Sequence, residues 1–169
     1  MIHINDDLAL YGQLAPMRTS FDAVALSGEL IPQALPLVRA TWPGVDLAAW
    51  QNFVQFFSSP PLPGTGVLGL RDSTDCLCGI LAYQMVWDLE AGPVLAIHIF
   101  TAVDLANSPR TAQVLLDVAE MRAIELGCTR IQIRLARDQA GLASRLRQLG
   151  LSAGITMVWK DVQPGPPRA

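Results

Sequence analysis

The chain has 169 residues, 51% hydrophobic and only 16% charged, with a net charge of −3, a length that fits one domain. The acidic balance and the lack of any concentrated Lys/Arg stretch argue against nucleic-acid binding through a basic face, and no run of about 18 apolar residues is present to span a membrane. The mean hydropathy of +0.33 is high for a soluble monomer, which leaves two uses for the surplus: a large, well-filled core, or apolar surface covered by a protein partner or a second copy.

Residues 1–20 read as an N-terminal extension in which Leu8, Leu10, Tyr11 and Leu14 offer a short packing helix. Asp6 and Asp7, with no Lys or Arg before them, do not make a signal-peptide start, so the expected location is the cytoplasm or a larger particle. A single domain is expected over residues 21–162. Phe21 to Leu26 alternates as a first strand before Ser27-Gly28. Glu29 to Thr41 carries a helical stripe of Leu30, Ile31, Leu35, Leu37 and Val38, with Pro36 a kink candidate. Asp46 is the expected N-cap of a second helix, Leu47 to Phe57, with Trp50, Phe53, Val54 and Phe57 on one face. Ser58 to Gly66 is a loop by composition.

From Val67 the period changes to that of strands. Val67–Arg71 and Cys76–Trp87 predict an antiparallel pair joined by Asp72 to Asp75, and Pro93–Val103 a third, nearly all-apolar interior strand. Asp88 and Glu90 fall in the solvated turn before it. Ser108 is a suitable N-cap and Pro109 a suitable first residue for a long helix through Leu126, with Val114, Leu115, Val118 and Met121 inward and Gly127 as its stop. Thr129–Leu135 alternates with Ile131, Ile133 and Leu135 on one face and Arg130, Gln132 and Arg134 on the other. Together with Arg137 this is the one mild basic cluster, read as surface or interface. A short helix Ala140–Leu149, a last strand Ile155–Val162 and a Pro/Gly-rich tail over residues 163–169 complete the chain. The helix joining Val103 to Thr129 implies a right-handed crossover between parallel strands, hence an α/β (α+β) domain with a mixed, mostly antiparallel sheet. Cys76 and Cys78 alternate and so share a face. With three Cys and two His, His3 and His98, reduced structural thiols and no metal site are expected.

This order resembles the GNAT superfamily of acyl-CoA-dependent N-acyltransferases over about residues 21–162. The resemblance is carried by Ala112 with Leu115-Leu116, by Leu126-Gly127, and by Leu149-Gly150-Leu151. It implies transfer of an acetyl group from acetyl-CoA to an amine, with the pyrophosphate bound by backbone N–H groups at a helix start. The family pattern of Arg or Gln, two residues, Gly, one residue, then Gly or Ala falls on Asn107 to Ala112, where Ala112 alone fits. Asn107 stands where Arg or Gln is usual. Arg110 stands where Gly is usual, and it either fills the phosphate space or lends it a positive charge, while Pro109 removes a backbone donor. The implied cofactor contacts are Thr101, Ala102, Val103, Asn107, Arg110, Thr111 and Ala112, with a backbone N–H near Thr101 to Val103 holding the oxyanion.

The tyrosine that in relatives protonates the departing thiolate is replaced here by Leu146, which has no proton to give. For a general base the strand offers only His98, which serves either in that role or as a core histidine bonded to a carbonyl. Trp42, Trp50, Phe53, Phe56 and Phe57 crowd the early helices, which in relatives line the acceptor site. They select an apolar acceptor, pack the core, or meet a protein. Two functions therefore follow: an N-acetyltransferase, or a non-catalytic GNAT-like structural or interaction protein within a larger assembly such as a virus particle. The second is favoured by the degenerate turn, the replaced tyrosine and the apolar composition.

Overall fold

Local sequence signals set most of the element boundaries. In the computed structural model, which describes residues 2–4, 21–58, 64–103, 110–135 and 139–152, they are β1 (Ile2–Ile4), β2 (Phe21–Ala25), α1 (Leu30–Thr41), α2 (Leu47–Ser58), β3 (Thr65–Arg71), β4 (Leu77–Asp88), β5 (Gly92–Ala102), α3 (Thr111–Glu125), β6 (Arg130–Ile133) and α4 (Ala140–Gln148). Asp46 caps α2 as expected, its Oδ1 accepting from Ala49 N–H at 2.7 Å. The Leu-Gly pairs are helix stops. After α3, Gly127 takes φ +69°, its N–H donates to Ile124 O (3.0 Å) and Cys128 N–H donates to Ala123 O (2.8 Å). After α4, Gly150 takes φ +94°, and Leu151 N–H reaches back to Leu146 O at 3.1 Å. Both are Schellman caps, whose left-handed residue favours glycine. The β3–β4 turn is tied by Asp72, whose Oδ1 accepts from the Thr74 hydroxyl (2.7 Å), Thr74 N–H (2.8 Å) and Cys76 N–H (3.1 Å). Those bonds, the Thr74 hydroxyl foremost, hold its carboxyl below the usual range against slight desolvation.

The six strands lie in chain order, β1 to β6. β1 and β6 pair parallel to their neighbours and the inner pairs are antiparallel. The mixed sheet is thus as expected, and residues 2–4 add an edge strand from within the segment read as an extension. One face packs on α3 and α4 through Leu70, Leu81, Leu95, Ile97, Phe100, Leu115, Leu116 and Leu146. The other packs on α1 and α2 through Leu26, Val38, Trp50, Val54, Phe57, Ile80, Ala82 and Ile99. β4 and β5 are buried on both faces, which explains their continuous apolar runs. Among the described residues no helix is long and apolar enough to cross a membrane.

The expectation that Cys76 and Cys78 share a face is corrected. Leu70 pairs with Gly79 but Arg71 with Leu77, so Cys78 is a bulged residue and breaks the alternation. Cys76 lies before the strand and is exposed, while Cys78 is buried with its thiol donating to Leu70 O at 3.3 Å. The short N-terminal helix, the Ser108 cap and Pro109, Arg137, the last strand Ile155–Val162 and the tail lie outside the described residues. As described, α3 opens at Thr111 with Arg110 as its N-cap.

Candidate active site

The site is made by a strand that loses one neighbour. Over Val94 to Ile97, β5 pairs with β4 on one side and β6 on the other. The parallel ladder ends where Arg134 N–H donates to Ile97 O at 3.0 Å. Beyond that point β5 stays paired with β4 as far as Ala102, and the described β6 stops at Ile133. At the fork, Tyr83 pairs with Ile97 and Ala82 with Ile99, which leaves His98 as an extra, unpaired residue. A bulge of this kind bends its strand and re-aims a side chain. It also switches parity, since Leu95 and Ile97 face α3 before it and Phe100 faces α3 after it.

The backbone of the outer half of β5 follows from one bond. Val103 N–H donates to Cys78 O at 2.8 Å. Antiparallel pairing alternates, so Val103, Thr101 and Ile99 turn their polar backbone toward β4, and Phe100 and Ala102 turn theirs to the side that the described β6 has left. The start of α3 stands at the C-terminal end of this strand. Val114 N–H is the first to bond back within the helix, to Arg110 O at 2.9 Å, so the N–H groups of Thr111, Ala112 and Gln113 precede the intrahelical ladder. Thr111 and Ala112 are buried against the sheet and Arg110 is exposed. Asn107 lies outside the described residues.

His98 is half-buried. Its Nε2 is buried and has no hydrogen-bond partner among the described residues. Its ring meets Phe57 edge-on, centroids 5.1 Å apart. Desolvation first, and the positive charge of Arg134 second, lower its pKa below the ordinary 6.5, so the imidazole is neutral at pH 7 and able to accept a proton. Thr101, which shares the α1/α2 face with Ile99, is 4% exposed, and its hydroxyl also has no partner among the described residues.

An aromatic series runs along α2 to this histidine. Trp50 stacks with Phe53 at 5.8 Å, Phe53 with Phe57 at 4.5 Å, and Phe56 meets Phe57 edge-on at 5.5 Å. Trp50 Nε1–H anchors the series by donating to Ile31 O at 2.8 Å. Trp42 and Phe53 pack against the same core while Phe56 is largely exposed.

Other candidates stand apart. Leu146 is buried in the α3-side core and supplies no proton donor. Tyr83 is in that core too, on the face away from His98, and burial raises its phenol pKa. Asp88 accepts from Ala91 and Glu90 N–H groups in the β4–β5 turn, which holds its carboxyl low. Arg130 and Arg134 are exposed and Gln132 is half-buried. Among the described residues no three His, Cys, Asp or Glu gather as a metal site. Two glycine patterns carry no chemistry. Gly64 to Gly69 spells G-x-G-x-x-G but opens and enters β3 rather than a strand-to-helix turn, and a Cβ at Gly66 would lie 2.7 Å from Tyr83 Oη. Gly150 to Gly154 spells G-x-S-x-G but follows helix α4, the reverse of a nucleophile elbow. The bulge, the outward N–H groups and the Phe57 contact are the parts of the site that sequence reasoning missed. Only the run of phenylalanines on α2 hinted at any of them.

The fold is that of the GNAT acetyltransferases. An aminoglycoside N-acetyltransferase in complex with CoA matches with a TM-score of 0.72 at 12% identity, covering 89% of this chain and 100% of that one. An aminoglycoside antibiotic 6'-N-acetyltransferase from Acinetobacter baumannii gives 0.69 at 16% identity, over 86% and 99%. A ribosomal-protein-alanine N-acetyltransferase from Brucella melitensis gives 0.66 at 15% identity, over 84% and 99%. No family model matches the sequence, and no curated protein matches it.

Proposed function

We propose, starting from this acetyltransferase fold, that the chain transfers an acetyl group from acetyl-CoA to an amine. The observation that carries the reading is the fork at Ile97, where β5 keeps β4 but, among the described residues, loses β6, on the stretch of strand that carries His98 and precedes α3. Acetyl-CoA would supply the activated acyl thioester. The donors present fit it: N–H groups of Thr111, Ala112 and Gln113, with Arg110 beside them, suit the pyrophosphate. With Gly replaced by an exposed Arg110, a positive charge stands where relatives rely on backbone alone.

The N–H groups of Phe100 and Ala102 are oriented to stabilise negative charge growing on a carbonyl oxygen. Val103 N–H is committed to Cys78 O, so the oxyanion role expected near Thr101 to Val103 centres on Ala102 and extends to Phe100. His98 Nε2, unpaired and neutral, takes the proton of the attacking amine directly or through one water. Leu146 gives no acid, yet a thiolate is a far better leaving group than an alkoxide or an amide anion, and it can depart as its anion and collect a proton from solvent.

Titrating the purified protein with acetyl-CoA tests the reading. Binding heat, a raised melting temperature and thiol release in the presence of an amine are expected. Neither heat nor a thermal shift at millimolar acetyl-CoA sinks it. A second reading, a non-catalytic GNAT-like interaction protein with a protein partner or a second copy, is favoured by the buried Leu146. It predicts no acetyl-CoA binding and a stable higher-order species on size-exclusion chromatography.

A further inference from the structure

The two helical layers carry charge very differently. α3 has Asp117, Glu120, Arg122 and Glu125 along its length. α2, Leu47–Ser58, has no charged residue, and α1 has only Arg39. Arg39 and Asp46, the two charged residues between Leu30 and Ser58, are both engaged where the helices join. Arg39 Nε–H donates to Val45 O at 2.8 Å, and Asp46 caps α2. A soluble surface ordinarily carries about a quarter to a third charged residues, whereas the cores of interfaces are depleted of them and enriched in aromatic ones.

The outward side of α2 also has a pattern. Ala48, Asn52 and Phe56 are all exposed, Phe56 by 60%, and at a spacing of four they form one ridge along the helix. Asn52 stands midway, about 6 Å along the axis from each of the others. A small residue at one end and a large one at the other make the ridge complementary to itself turned end for end. About a two-fold axis at Asn52, Phe56 of each copy lies over Ala48 of the other copy, and Asn52 meets Asn52. An amide both donates and accepts, so two asparagines can bond to each other there, as two lysines or two glutamates cannot.

We infer that the outer face of α2 docks a second copy of this chain, the two α2 helices running antiparallel about a two-fold axis at Asn52. A partner of another kind has no need of an end-for-end match along one ridge. The inference is independent of acetyl transfer, and no arm of its test involves acetyl-CoA, so either can fail without the other.

Sedimentation velocity on the full chain is the test. Expected is a species of twice the 18.3 kDa of one chain, with a dissociation constant of about a micromolar or lower. Asn52→Lys and Asn52→Asp each weaken it about 100-fold by setting like charges face to face. Mixing the two variants restores a heterodimer, the signature of a residue on the axis. Phe56→Ala and Ala48→Phe each weaken the dimer about 10-fold, and combining them in one chain recovers most of the loss. If Asn52→Lys loses helical circular dichroism, the Phe56 and Ala48 exchange decides. A native chain that sediments as a monomer at about 100 μM, a dimer unmoved by Asn52→Lys, or folded Lys and Asp variants that fail to pair overturns the inference.

Discussion

The two halves of β5 have similar composition and different duties. Over Val94 to Ile97 the strand is held by β4 and β6 and both faces are packed. Over His98 to Ala102 it keeps β4, loses the described β6, and carries two buried polar atoms with no partner among the described residues, His98 Nε2 and Thr101 Oγ1. Native interiors rarely leave such atoms unpaired, and where they do the site is a candidate for chemistry or bound solvent. The contrast is between a half packed and paired on both sides and a half that carries unpartnered polar atoms among the described residues.

The largest expected effect belongs to the closed half. Leu95 is fully buried in the α3-side core, and Leu95→Ala should cost about 2–5 kcal/mol of stability by urea denaturation. A cost under about 1 kcal/mol would mean the closed half is not what holds the sheet. The open half should show the reverse pattern. His98→Gln should lower kcat/KM about 100-fold, with a stability change under about 1 kcal/mol. Activity that survives the substitution would remove His98 from the mechanism.

Acidity separates the halves more finely. Burial lowers the His98 pKa, so the folded chain binds fewer protons there than the unfolded chain. Its contribution to stability is therefore complete above about pH 6.5 and is lost as pH falls through the folded-state pKa. The rate should rise with pH through that same lowered pKa and level off above it. His98→Gln should abolish that limb, and a rate limb above pH 7 in the native protein would contradict a desolvated base. The smallest effect is expected at Thr101. Thr101→Val removes an unpaired buried hydroxyl while keeping the shape, and should stabilise the domain by about 0–1 kcal/mol. A loss of more than 1 kcal/mol would show that the hydroxyl has a structural partner after all.

Much of the architecture was legible in the sequence because its signals are local. Asp46 before an apolar run marks a cap, Gly127 and Gly150 after leucines mark stops, and the change from helical to alternating period at Val67 marks the sheet. The site was legible only in outline. His98, Thr101, Ala102 and the start of α3 stood out as candidates, but not which of their groups turn away from β4. Neither bulge was visible, because β5 is apolar on both faces and a parity switch at His98 leaves no break in the pattern. The same blindness put Cys76 and Cys78 on one face.

By itself the sequence determined the order of the elements from Phe21 to Gln148, the helix stops at Gly127 and Gly150 and the βαβ link from β5 to β6, since these depend on the periodicity and backbone preferences of neighbouring residues. Only the tertiary structure decided where β6 parts from β5, which N–H groups are left facing outward, and that Phe57 lies against His98. Those depend on contacts between residues far apart in the chain, and a strand's own side chains do not record when its neighbour leaves.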